Sequence, residues 1–402
     1  MFNVAQFIST NITYRDSSLF LPDIEANKTE LVKLVAGKKV LVIGGAGTIG
    51  SSFIRAILPF RPSQLVVVDI NENGLTELTR DLRSTYGMYV PSDYRTYPLS
   101  FADPIFERIF RQNHGFEIVA NFSAHKHVRS EKDRWSVQAL LENNVLKAGR
   151  LLDLLSEIPP EHFFCVSTGK AANPVNIMGA SKRIMEDLIM SYSDKFKIST
   201  ARFANVAFSN GSLLAGFIER IMKRQPLSSP NDVKRYFVSP EESGQICMLA
   251  CLLGHNREIF FPKLSEEQMM TFSSIADKFL HALGYEAKYC DSEEEARKFA
   301  AEMSTDSKQY PVYFFKSDTT GEKSFEEFYI PGEHLNLDRF RQLGVIDTLV
   351  PRPKEELDAF LSELTELFSQ KNTSKEDIVL VMKKYLPNFI HEEKGKNLDQ
   401  KM

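Results

Sequence analysis

The chain has no excess of positive charge, no cysteine framework and no long apolar run. Among its 402 residues, 49 lysines and arginines face 53 aspartates and glutamates, for a net charge of −4. Without a basic excess there is nothing to neutralise a phosphate backbone over any length, so a sequence-wide nucleic-acid surface is excluded. A local basic cluster for a small anionic ligand is not. The four cysteines, Cys165, Cys247, Cys251 and Cys290, are too sparse for a disulfide scaffold and fit a reducing compartment. Cys247 and Cys251 stand four apart on an apolar helical stretch with no histidine or cysteine beside them. They read as core residues rather than ligands, and no metal site is expected. The N-terminus lacks a basic segment followed by an apolar core, so it does not read as a secretory signal. The longest strongly apolar run, about Ile246 to Gly254, is far short of the roughly 20 residues that span a bilayer. These absences predict a cytoplasmic protein without membrane insertion.

What is present is an ordinary core-forming composition, 43% hydrophobic and 25% charged, enough for one large domain or two. Residues 1–37 read as a helical lead-in ending at Gly37. KKVLVIGG, QLVVVDI, FEIVANFSA and HFFCVST read as buried strands, each a short apolar run closed by glycine or polar residues. Helical patterns lie between them, among them VQALLENNVLKAGRLLDLLSEI. Alternation of this kind predicts an α/β fold with a parallel sheet covered on both faces. We place a dinucleotide-binding domain over 38–205 and a mainly substrate-binding region, sharing part of the sheet, over 206–350. C-terminal helices follow over 351–390, with a capping box at Thr373 and Glu376. The polar segment 391–402 reads as a disordered tail.

The strongest local signal is Gly44-Gly45-Ala46-Gly47-Thr48-Ile49-Gly50, which follows a strand and opens a helix. Gly44 permits the tight turn, Gly47 lets the backbone approach a pyrophosphate, and Gly50 allows close helix–strand packing. The amides of Thr48, Ile49 and their neighbours then face the phosphates. Asp69, 19 residues after Gly50 at the end of the next strand, stands where a carboxylate binds the adenosine ribose; the alternative is a glycine turn with a capping aspartate. No cation lies in Asp69–Asn73 to accept a 2′-phosphate, so NAD is expected over NADP. The fold class is therefore a Rossmann-type doubly wound parallel sheet with a smaller C-terminal substrate-binding region and a helical tail.

The spacing G-x-x-G-x-x-G resembles the extended short-chain dehydrogenase/reductase superfamily. Asn121-Phe122-Ser123-Ala124-His125-Lys126-His127-Val128 resembles its stretch beside the nicotinamide ribose, which places Ser123 and Ala124 at the cofactor and Lys126 at the substrate. Ser167-Thr168-Gly169-Lys170 through Met178-Gly179-Ala180-Ser181-Lys182-Arg183 is similar to nucleotide-activated N-acetylglucosamine 4,6-dehydratases of capsule, flagellin and legionaminic-type polysaccharide biosynthesis. Arg202 to Val206, Ser209 to Ser212, Lys234 to Phe237, Gly321-Glu322-Lys323 and Glu326-Glu327 extend the match over about residues 38–330. The resemblance implies a lyase that takes UDP- or GDP-N-acetylglucosamine to a 4-keto-6-deoxy sugar by internal NAD redox cycling, in a homo-oligomer built through exposed helices.

The chemistry follows from those residue types. Oxidation at C4 of the sugar acidifies the C5 proton, a base removes it, the C6 hydroxyl leaves, and hydride returns at C6. Lys170 is the candidate base, Thr168 bonds the C4 hydroxyl, and Lys182 bonds the nicotinamide ribose and eases deprotonation at C4. Met178 holds the family's tyrosine position, as in one dehydratase branch, and has no acidic proton. Arg235 first and Arg202 second are candidate ligands of the diphosphate, either of which can instead be a structural ion pair. Asn205 is assigned a phosphate or sugar oxygen, and Glu322 the nucleotide ribose. Thr319 stands where the branch often has arginine. Gly169 stands where the family has the aspartate that protonates the departing hydroxyl, which implies slow loss of water and a gain in turnover from Gly169→Asp. An epimerase that stops at the 4-ketone, and a binding protein that has lost catalysis, are the two alternatives.

Overall fold

The computed structural model describes residues 2–317 and 326–391. Its centre is a sheet built from β1 (Lys39–Ile43), β2 (Gln64–Asp69), β3 (Asp93–Pro98), β4 (Ile118–Asn121), β5 (His162–Val166), β6 (Ile198–Ala201), β7 (Glu258–Pro262), β8 (His334–Asn336) and β9 (Leu343–Asp347). The spatial order is β8-β9-β7-β6-β5-β4-β1-β2-β3. The pairs from β3 across to β7 are parallel, and β9 and β8 close the far edge antiparallel. Strand order reverses between β1 and β4, the place where open α/β sheets bind ligands beyond their carboxyl ends. β1, β2 and β5 are almost wholly buried along their length, as a sheet covered on both faces requires. β3 is half-exposed at the edge; its two tyrosines stand among charged and polar residues, so no apolar run announces it.

The stretch from Val137 to Ile158, which reads as helical, is interrupted. Arg134–Leu141 passes through a π-helical turn, Glu142–Leu146, into Lys147–Glu157. The widened turn carries buried Asn144, which accepts from His125 N (2.8 Å) and donates to His125 O (2.9 Å) and Ser181 Oγ (3.1 Å). Such turns mark places where a side chain must be redirected.

A second apolar core lies beside the first. Phe217, Leu227, Phe237, Phe279 and Tyr310 form it, with a three-stranded parallel sheet of Leu227–Pro230, Gln309–Phe315 and Glu286–Tyr289. The lead-in straps both cores. Phe7, Ile8 and Ile12 join the second, whereas Phe20, Ile24, Leu31 and Val35 join the first. Arg15 pairs with buried Glu242 at 2.7 Å between these two stretches.

Helices Lys354–Ser369 and Lys375–Tyr385 add Leu357, Phe360, Leu364 and Met382 to the main core. The capping box of the second is Ser374 with Asp377, not Thr373 with Glu376; Thr373 is turned back to donate to Leu367 O at 2.8 Å. These helices reach Ile177–Met190 through Arg352–Asp187 (3.3 Å) and Tyr385–Asp187 (3.3 Å). Every residue of Ile177–Met190 except Arg183 is buried, so this helix has no exposed face for a second subunit. Among the described residues no helix is long and apolar enough to cross a membrane. The expected tail, from residue 392 onward, lies outside the described residues.

Candidate active site

The cofactor side is set by backbone. Gly44 turns out of β1 with φ +76°, and a Cβ there would lie 2.6 Å from Ser123 N. At Gly50 a Cβ would come within 2.3 Å of Gly44 O. Both glycines are thus demanded by close approach, as expected. Gly47 meets only Gly44 O at 3.5 Å, so no packing within the chain requires it. It is the N-cap of Thr48–Ile57 and supplies no side-chain cap to the first-turn amides, the kind of helix start that suits an anion. Thr48 Oγ1 accepts from Asn210 N at 2.9 Å and ties this loop to the opposite wall; Ile49 is half-buried in the same first turn. Asp69 accepts from Ala46 N and Asn71 N, both at 2.9 Å. Its carboxylate therefore holds the glycine loop against the start of the next helix, and lone pairs remain on both oxygens. Ser123 and Ala124 are half-buried just past β4, next to Gly44.

On either side of Asn210, Ser209 and Gly211 line a cleft of about 620 Å³ whose walls also include Lys126, Lys170, Asn205, Arg235, Phe272 and Glu326. Lys126 donates to Asn210 O at 2.9 Å, and loss of hydration holds its ammonium below the ordinary lysine range. Asn205 joins a two-residue parallel bridge to Phe237, while Arg235, 5% exposed, bonds Lys234 O at 2.8 Å. Thr168 caps the short helical turn Gly169–Ala171, placing Lys170 in the cleft wall.

Lys182 is buried beneath this wall. Its Nζ donates to Val166 O at 3.0 Å, at the carboxyl end of β5, and burial lowers its pKa. The helix that carries it, Ile177–Met190, starts on two caps. Asn176 accepts from Gly179 N (2.7 Å), and buried Glu131 accepts from Ile177 N (3.0 Å) and Met178 N (2.8 Å).

Arg202 does not reach the cleft. Its side chain is fully buried and spent on Glu186 (2.7 Å) and Glu333 (3.0 Å), with a further bond to Phe328 O. Burial works against its charge, but the two carboxylates outweigh that and raise its pKa. The structural ion pair, not the phosphate ligand, is what forms, because both carboxylates come from elements that only the tertiary fold brings beside β6. Glu322 and the Thr319 position lie outside the described residues.

Two features were not read from sequence. Glu326, whose side chain is 1% exposed, pairs directly with Lys170 and lies 3.3 Å from Arg235 Nε. The adjacent pair Glu326-Glu327 was visible as part of the motif, but nothing local assigned it a partner. Gly169 is also not an open position: a Cβ there would lie 2.9 Å from Glu327 O. An aspartate fits there only if the segment carrying Glu327 shifts. All four cysteines are buried and free, and among the described residues no cluster of His, Cys, Asp or Glu could hold a metal.

A family model described as polysaccharide biosynthesis protein matches residues 40–346. The chain is 26% identical to a probable polysaccharide biosynthesis protein, EpsC, of Bacillus subtilis over 88% of its own length and 56% of that protein's; it thus spans about half of that relative. It is 30% identical to an uncharacterised membrane protein of Methanocaldococcus jannaschii over 77% of this chain and 85% of that one. It is 24% identical to an inverting UDP-N-acetylglucosamine 4,6-dehydratase of Campylobacter jejuni, over 61% and 73%. Among solved structures, Pen from Bacillus thuringiensis superposes with a TM-score of 0.62 at 19% identity, covering 82% of this chain and 98% of that one. A dTDP-glucose 4,6-dehydratase from Streptomyces venezuelae with NAD bound superposes at 0.54 and 18%, covering 72% and 88%. Those two likenesses establish the fold.

Proposed function

This chain belongs to the polysaccharide biosynthesis protein family, and from that premise we propose that it is an NAD-dependent nucleotide-sugar 4,6-dehydratase acting on UDP- or GDP-N-acetylglucosamine. The observation that carries this reading is the position of Lys170: it follows Thr168, just past the end of β5, and lines a cleft with Asn205 and Arg235. The Campylobacter relative's name supports the substrate class.

The residues present fit NAD. The space at Gly44 and Gly50 is closed to side chains, the helix N-terminus beyond Gly47 has no internal cap, and Asp69 stands at the end of β2, with no cation between it and Asn73 to invite a 2′-phosphate. Bound there, NAD would supply the hydride acceptor for oxidation at C4 and the hydride donor for reduction at C6. Thr168 then bonds the C4 hydroxyl. Lys170 takes the C5 proton once C4 is a ketone. Lys126, Asn205 and Arg235 hold the diphosphate and sugar. Lys182, whose ammonium is destabilised by burial, orients the ribose from below.

Gly169 supplies no acid, and this favours one second reading: an epimerase that stops at the 4-ketone and returns hydride to C4 from the other face. Incubation with UDP- and GDP-N-acetylglucosamine, followed by mass and NMR, separates them. Loss of one water supports the dehydratase. An unchanged mass with a new spectrum makes the chain an epimerase, and no change in either sugar makes it a binding protein.

A further inference from the structure

We propose that Glu326 takes over the proton delivery that Gly169 cannot perform, so that the general acid of this enzyme comes from the segment after Phe315 rather than from the Thr168–Lys170 turn. The inference rests on the dehydratase reading above. Three observations carry it. The position next to Lys170 in sequence has no side chain, and it cannot gain one without moving Glu327 O, 2.9 Å from the Cβ site. The segment that fills this space is the one bearing Glu326. The carboxylate that touches Lys170 Nζ is that of Glu326, in the wall of the same cleft.

The pair suits the chemistry because elimination needs a base and an acid at neighbouring carbons. An amine and a carboxyl in direct contact share one proton: as ion pair it sits on Lys170, and after transfer it leaves a neutral amine and a carboxylic acid. In the neutral form Lys170 takes the C5 proton, the C6–O bond breaks, and Glu326 delivers its proton to that oxygen, so water departs. The pair is then lysinium and carboxylate. Lys170 returns its proton to C5 as hydride reaches C6. The C4 hydroxyl proton passes to solvent on oxidation, and one proton taken up from solvent after C5 and C6 are filled restores the pair, so the count closes. Hydride only moves from C4 to C6, so no outside oxidant or reductant is consumed. Arg235 Nε, 3.3 Å from Glu326 Oε1, holds the carboxylate in place beside Lys170.

The test compares three rates in wild type and in Glu326→Gln and Glu326→Asp: C5 deuterium exchange, loss of water by mass, and NAD binding. We expect Glu326→Gln to bind NAD normally and keep C5 exchange within about tenfold. Water loss should fall by about 10²–10⁴-fold, the usual cost of a missing general acid. Glu326→Asp should recover part of it. If water loss in Glu326→Gln equals wild type, another group is the acid. If exchange and water loss fall together, Glu326 merely positions Lys170, and the proposal is likewise overturned. If wild type removes no water from either sugar, the dehydratase reading fails first, and this inference falls with it.

Discussion

The two sides of the cleft are built on different principles. On the cofactor side the contacts that shape the glycine turn itself are close in sequence and mostly backbone: Asp69 holds Ala46 from 23 residues away, and Gly50 packs on Gly44 O. On the reaction side they are charged and remote. Lys170 pairs with Glu326 across 156 residues, and Arg202 with Glu333 across 131. The first arrangement tolerates almost no added atoms. The second tolerates almost no lost charge, because removing one member of a buried pair strands the other.

The sharpest way to break the reaction side is Lys170→Ala. It should cut C5 deuterium exchange by about 10²–10⁴-fold and leave NAD binding, which lies on the other side, unchanged within error. Exchange at the wild-type rate would remove Lys170 from the base role.

Next in size is Arg202→Met. It leaves Glu186 and Glu333 buried without their cation, and we expect a loss of about 3–5 kcal/mol in urea unfolding. Substrate affinity measured where the variant is still folded should be unchanged. A selective loss of substrate affinity with unaltered stability would restore Arg202 as a phosphate ligand.

A matched pair of added atoms then contrasts the two sides. Gly50→Ala presses on Gly44 O at 2.3 Å, and Gly169→Asp on Glu327 O at 2.9 Å. Each should cost about 1–3 kcal/mol of stability by overpacking. Gly50→Ala should weaken NAD binding, whereas Gly169→Asp should spare it and lower turnover by displacing the Glu326 segment. A Gly169→Asp variant that is both as stable and faster would show that the segment moves aside freely.

The smallest effect concerns pH and belongs to neither side. His162 is 4% exposed in β5, and burial pushes its pKa well below 6.5, with Lys197 adding to the shift. Ser199 Oγ already donates to Ala250 O, so His162 Nε2–H donates to Ser199 at 2.8 Å. Buried Nδ1 has no hydrogen-bond partner, and protonation there would bury a donor with nothing to accept from it. A folded-state pKa below the unfolded one means that the unfolded chain binds the extra proton first. Stability is therefore complete above pH 6.5 and declines as pH falls below it. The Tm of wild type should drop by a few degrees from pH 6.5 to 5, and His162→Gln should flatten that part of the curve. An identical slope in the variant would assign the effect elsewhere.

Much of the fold was legible. β1, β2, β4 and β5 are runs whose burial on both faces demands continuous apolar residues, so composition alone locates them. β3, β6 and β7 were not read. β3 is an edge strand whose exposed face admits Arg95, and β6 buries Ser199 and Thr200 by satisfying their hydroxyls with Ala250 O and Cys165 O. A polar residue looks the same in sequence whether or not an acceptor awaits it. The π turn at Glu142–Leu146 was hidden for a related reason: its helical periodicity is intact on either side, and only the contact of Asn144 with the segment after β4 selects the wider turn.

By itself the sequence determined the Rossmann sheet, the glycine turn and the place of Asp69, because steric demands on a backbone turn act over a few residues and leave glycines at fixed spacing. It also placed Lys170 and Lys182 on their turn and helix. Only the tertiary structure decided which cation meets which carboxylate. Arg202 and Arg235 are equally good phosphate ligands as isolated guanidinium groups; one is consumed by Glu186 and Glu333 in the core, and the other opens onto the cleft beside Glu326. Charge acts through space rather than along the chain, so its pairing is settled only when segments more than a hundred residues apart are folded against each other.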